Sequence, residues 1–111
     1  MATTLPSGVI IEDLTVGTGP ECPKSATVKV HYRGTLMNGK EFDSSYNRGT
    51  PIDFPLRDLI QGWQEGIPGM KVGGKRKLTI PYQMGYGERG SPPVIPPKAD
   101  LLFEIELLGV R

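Results

Sequence analysis

Few residues in this 111-residue sequence are of a type that could do covalent or metal chemistry. It has one histidine, His31, and one cysteine, Cys22. His31 lies in "TVKVHYRGTL" (27–36), where a two-residue alternation sets it on the outer face with Lys29 and Arg33. A Ser-His-Asp triad or a metal centre would need that imidazole in a cleft with partners. Cys22 sits in the proline-flanked loop "GTGPECPKS" (17–25), with no helix N-terminus beside it to favour a thiolate. What remains is aromatic: Tyr32, Phe42, Trp63, Tyr86 and Phe103 come from separate parts of the chain. Asp43 directly follows Phe42, just before the chain turns toward Arg48. A carboxylate at the lip of an aromatic cluster is costly unless it is paired or used. The residue types therefore point to non-covalent binding with no metal and no cofactor.

Two motifs invite other readings. "GMKVGGKR" (69–76) nearly spells a phosphate-binding loop, but Arg76 stands where Ser or Thr must meet Mg²⁺, and a strand follows where a helix is needed. "PVIP" (93–96) matches a PxxP ligand pattern, but it is fastened between Tyr86 and the last strand. With 13 basic and 12 acidic residues the net charge is +1, which gives no electrostatic case for nucleic acid or an anionic membrane surface. A lone cysteine precludes an intrachain disulfide and suits a reducing compartment. The start, "MATTLPSGV", lacks the charged and apolar regions of a secretory signal, and no stretch approaches the ~20 apolar residues of a membrane helix. The expectation is a cytoplasmic monomer built as a single domain over residues 1–111.

The elements that must position the aromatics follow from periodicity. Fifteen glycines and eleven prolines, spread along the chain, argue for short strands joined by turns. Residues 1–8 read as a loosely held arm and "VIIEDL" (9–14) as a first strand. In 27–36, Val28, Val30 and Tyr32 face inward. Asn38-Gly39 predicts a two-residue type I′ hairpin into "KEFDSS" (40–45), and "IDF" (52–54) is a further strand. A short helix is expected with Asp58 as N-cap and Gln61 as capping-box partner. It would present Leu59, Ile60, Trp63 and Ile67, and stop at Gly66 and Pro68. "KRKLTIP" (75–81) turns Arg76, Leu78 and Ile80 to one face; "LLFEIELLGV" (101–110) turns Leu101, Phe103, Ile105 and Leu107 inward. The fold class is α+β, a strongly curved antiparallel sheet of about five strands wrapped around one short α-helix.

Taken in order, "VHYRGTLMNGKEFDSS", "LIQGWQEGIPGMKVGGKRKLTIP", "YGERG" and "VIPPKADLLFEIELL" closely resemble the FKBP-type peptidyl-prolyl cis-trans isomerases, the rapamycin-binding immunophilins. The resemblance runs from about Val9 to Val110 and is to the minimal single-domain form. It implies the same fold, a non-covalent isomerase acting on X–Pro bonds and assisting folding, and partners that are proline-containing peptides and proteins. Macrolide inhibitors of the rapamycin class are implied ligands. A binding module with little turnover is the alternative.

Carried over by position, the resemblance makes Trp63 the floor of a pocket and Tyr32, Phe42 and Phe103 its walls. Leu59 and Ile60 stand at its rim, where the Ile60 N–H is a donor. Asp43 is the pocket carboxylate, held by Tyr32 and Arg48. Tyr86 brings a hydroxyl to the edge of a flap whose apolar tip is Val94 and Ile95, stiffened by Pro92, Pro93, Pro96 and Pro97 with fixed φ. Three departures stand out. Ile52 occupies a wall position commonly aromatic, "FPLRDLIQGW" is about two residues shorter than the commonest approach to the helix, and Ser91 replaces a larger flap residue.

Overall fold

The computed structural model describes residues 2–111. Seven strands, β1 (Ala2–Thr4), β2 (Ile10–Thr15), β3 (Thr27–Leu36), β4 (Glu41–Ser44), β5 (Ile52–Pro55), β6 (Lys75–Ile80) and β7 (Leu101–Val110), and one helix, α1 (Gln61–Gly66), make up the regular structure. The strands form one antiparallel sheet in the order β1-β2-β6-β7-β3-β4, with β5 also on β3. The α+β expectation holds; the sheet has seven strands rather than about five, and six of them fall on the segments read as strands. The remaining strand is β1: residues 2–4 of the supposed arm pair with Ile10–Glu12 and keep all three side chains exposed.

β3 organises the site. Its outer edge is shared by two partners: Arg33–Thr35 meet β4, while Thr27–Val30 meet β5. Between them the chain leaves the sheet through a 3-10 turn at Tyr46–Arg48. Alternation along β3 buries Val28, Val30 and Tyr32, as a half-buried strand requires. On β7, Leu101, Phe103, Ile105 and Leu107 are buried, and β7 lies between β6 and β3 over Leu101–Glu106.

The β3–β4 hairpin is not the predicted type I′ form. Gly39 has φ 90°, but Asn38 does not have positive φ. Gly39 N–H donates to Leu36 O at 2.9 Å, and Leu36 N–H donates to Lys40 O at 2.8 Å. This is the three-residue hairpin, in which a single left-handed residue suffices. The Asn38 side chain favours it by accepting from Lys40 N–H at 3.0 Å.

α1 also starts differently. Asp58 belongs to a 3-10 turn, Leu56–Asp58, and Leu59 is extended at φ −104°, ψ 170°. Ile60 is the N-cap, without a side-chain cap, so no Asp58–Gln61 capping box forms. The helix is held from its other faces. A Cβ on Gly62 would lie 2.6 Å from Ile80 side-chain atoms, and one on Gly66 2.7 Å from Leu78. Four residues apart, these glycines let the helix backbone lie directly on β6. Arg76, 6 % exposed on the same face as Leu78 and Ile80 despite its charge, closes the C-terminal end. Its guanidinium donates to Gly66 O at 2.9 Å and to both oxygens of Asp13 on β2, at 2.7 and 3.3 Å.

Candidate functional site

Trp63 is fixed by the helix against the concave face of the sheet. It meets Phe103 edge-on at 5.2 Å, Tyr32 at 5.3 Å and Phe54 at 5.8 Å between ring centroids. Phe42 meets Phe103 at 5.5 Å and 89°. Such T-shaped contacts place the positive edge of one ring on the negative face of another. Above these rings opens a cavity of about 180 Å³ lined by Tyr32, Phe42, Asp43, Phe54, Leu59, Ile60, Trp63, Tyr86 and Phe103. The floor is the indole ring of Trp63, whose Nε1 is buried without a hydrogen-bond partner among the described residues.

The charged groups stand at the rim. Tyr32 Oη donates to Asp43 Oδ2 at 2.6 Å; Arg48 donates to Asp43 Oδ1 at 3.1 Å and to Tyr32 Oη at 2.8 Å. Ser44 N–H donates to Asp43 Oδ1 at 2.9 Å. These bonds hold the carboxylate in one orientation, with side-chain exposures of 41 % for Asp43 and 49 % for Arg48. Burial, reinforced by the Asp43 hydrogen bond, pushes the Tyr32 hydroxyl up to about 12. The bonds to Asp43 and Tyr32 raise Arg48 above the ordinary arginine range.

The junction between β3 and β4 is locked from behind. Ser45, wholly buried, has its Oγ 2.7 Å from Tyr32 N–H and 2.9 Å from His31 Nδ1. His31 stacks on Tyr46 at 4.6 Å, outside the cavity, as alternation places it. Two lining residues bring donors without partners among the described residues: Ile60 its backbone N–H and Tyr86 its hydroxyl. Burial and the nearby charge of Asp43 raise the Tyr86 pKa, keeping it a donor near neutral pH. Cys22 is buried, and that burial raises its thiol pKa, the opposite of nucleophile activation.

An aromatic well with one fixed carboxylate and two rim donors is matched among known proteins. Residues 19–108 fit the family model described as FKBP-type peptidyl-prolyl cis-trans isomerase. The chain belongs to the FKBP-type isomerase family. A relative named FK506-binding protein, from Neisseria meningitidis serogroup B (strain ATCC BAA-335 / MC58), is 55 % identical over 105 residues, covering 93 % of this chain and 96 % of that protein. FK506-binding protein 1 of Candida glabrata is 47 % identical, with both chains fully covered. Among solved structures, AtFKBP13 superposes with a TM-score of 0.91 at 44 % identity, covering 100 % of this chain and 99 % of that one. FkpA from Escherichia coli gives 0.93 at 45 % identity; this chain is covered to 99 % and spans 51 % of FkpA's.

Within this FKBP-type isomerase, eight of the residues singled out from sequence line the cavity together: Tyr32, Phe42, Asp43, Leu59, Ile60, Trp63, Tyr86 and Phe103. Arg48 stands behind them, bonded to Asp43 and Tyr32. Ile52 does not line the cavity; Phe54, overlooked in the sequence, does. β5 pairs Val30 with Ile52 and Val28 with Phe54, and the two share one face. The Phe54 ring is the one that reaches Tyr32 and Trp63. The "IDF" alternation already places these two on one side, and that was the signal available.

Val94 and Ile95 likewise do not line the cavity. Ser91 and Ile95 exchange backbone hydrogen bonds at 2.8 and 2.9 Å. The tight loop turns Ile95 into the core at 5 % exposure and leaves Val94 exposed at 45 %. The expectation that Ile95 hangs over the cleft is thereby corrected.

Proposed function

We propose that this FKBP-type isomerase turns X–Pro bonds by gripping the twisted imide in its aromatic well, with no covalent step and no proton transfer. An amide resists rotation by ~18–20 kcal/mol because nitrogen donates its lone pair to the carbonyl. X–Pro bonds populate both isomers but exchange over tens to hundreds of seconds. Twisting breaks the conjugation, leaving oxygen less polar and nitrogen more basic. Water bonded to the carbonyl therefore favours the planar state, and an apolar well removes that preference.

A net hydrogen bond is worth only ~0.5–1.5 kcal/mol, against ~1.36 kcal/mol per tenfold in rate. Desolvation alone falls short, so tighter binding of the twisted form supplies the rest. In this reading the prolyl ring lies on Trp63, the Ile60 N–H and Tyr86 hydroxyl hold flanking carbonyls, and the rotating carbonyl lies near Asp43 and the ring edges. The observation that carries it is the apolar floor combined with a carboxylate held by three donors at the rim.

Two-dimensional NMR exchange on a short Leu-Pro peptide tests this. Wild type should accelerate exchange, and Asp43→Ala should lower kcat/KM about ten- to a hundredfold, the worth of a charged hydrogen bond. Phe103→Leu should lower it as well. Peptide shift changes without accelerated exchange would replace catalysis with simple binding. Because no group transfers a proton, kcat/KM should be nearly flat from pH 6 to 8; a bell-shaped profile in that range would instead reveal general acid–base chemistry.

Rapamycin-class macrolides are proposed ligands of the same cavity, supported by its aromatic walls and checked by inhibition of the exchange reaction. A cytoplasmic location and a monomeric state belong to the same proposal. The single free cysteine supports the first, testable by fractionation; light scattering checks the second.

A further inference from the structure

Leu56 and Arg57 of the 3-10 turn at Leu56–Asp58 border a second cavity, of about 330 Å³ against about 180 Å³ for the prolyl well. Its lining includes the buried Leu56 and the polar or charged groups of Lys24, Ser25, Arg57, Gln64 and Glu65. Lys24 and Arg57 are in none of the ion pairs among the described residues, which join Arg33 to Glu41, Arg48 to Asp43 and Arg76 to Asp13. Two cations thus face one carboxylate, Glu65, and no acidic partner is engaged. Ser25, at the same place, holds φ 63°, a conformation that costs a non-glycine residue energy and persists where surrounding structure demands it.

The two cavities share no lining residue and are linked through a hydrogen bond of Gln64. Its side chain lines the second cavity, while its Nε2 donates to Leu59 O at 2.7 Å and to Arg57 O at 3.4 Å. Leu59 O belongs to the peptide unit whose N–H is the Ile60 donor at the prolyl well. We propose that this second cavity is an extended subsite for the same substrate polypeptide, taking an acidic side chain three or four residues from the proline. Arg57 and Ile60 are three residues apart, so their Cα atoms lie within about 11 Å of each other, a span that an extended chain covers in three to four residues. The inference rests on the prolyl reading of the first cavity.

The test compares Ala-rich Leu-Pro peptides carrying Glu, Ala or Lys three or four residues to either side of the proline. Turnover is read by NMR exchange and Kd by chemical-shift titration. At low ionic strength one Glu peptide should exceed its Ala counterpart by about threefold to tenfold in kcat/KM, and the Lys peptide should fall below it, the scale of one or two exposed charge pairs. That ratio should fall toward one in a Lys24→Ala/Arg57→Ala protein and in high salt, and rise in Glu65→Gln. A ratio of one at every position, or one that survives the double substitution, overturns the subsite while turnover of the Ala peptide leaves the prolyl reading standing. Failure of every peptide to bind or turn over overturns both.

Discussion

Tyr32 joins the wall of the well to its one fixed charge. Its ring touches Trp63, Phe54 and Phe103, while its hydroxyl lies between Asp43 and Arg48. Burial and the bond to Asp43 raise its pKa from 10.0 to about 12 in the folded protein. The folded value lies above the unfolded one, so the associated stability is fully present below about pH 10 and is lost as pH rises through about 12. Urea unfolding of wild type and Tyr32→Phe between pH 9 and 12 should therefore show wild type losing stability relative to the variant. Parallel pH dependences would mean that the hydroxyl is not held as described.

At the scale of elements, the decisive arrangement is a six-residue helix that carries the floor of the well and could not stand alone. Isolated helices of that length are unstable in water, and this one has no side-chain N-cap. It is held by Gly62 and Gly66 pressed on β6 and by Arg76 bonded to its last turn. Gly62→Ala would drive a methyl into Ile80, a fully buried neighbour, at about 1–3 kcal/mol. We expect a fall in Tm and, because Trp63 is the next residue, a fall in kcat/KM as well. An unchanged Tm would show that the helix has room that its contacts with Ile80 deny.

Across the whole molecule, well and core are one body. The buried cluster that includes Val28, Val30, Leu78, Ile80 and Ile105 also includes Tyr32, Trp63 and Phe103, so the binding walls are the inner face of the hydrophobic core. No separate lobe can loosen while the site stays formed. Urea unfolding followed by the fluorescence of Trp63, the only tryptophan, and by far-ultraviolet circular dichroism should give coincident single transitions. Separate midpoints would mean that the helix and its tryptophan detach before the sheet.

What could be read along the chain was what depends on near neighbours. Alternation in 27–36, 75–81 and 101–110 gave strands whose apolar faces turn inward, because a side chain's direction on a strand follows from its parity. The charge of Arg76 suggested solvent, yet it shares the buried face of Leu78 and Ile80. The eight residues that meet in the well were recognisable from ordered motifs. The rest was settled between elements distant in sequence. Asp58 has the chemistry of an N-cap, yet Leu59 is extended and the helix begins after Ile60. Ile95 has the hydrophobicity of a flap tip, yet its backbone pairing with Ser91 sends it into the core. Ile52 and Phe54 share a face, and only the pairing of β5 with β3 decided which one reaches Trp63. Local sequence determines which way a side chain points relative to its own strand; what it meets there is decided by strand register and by the packing of the helix.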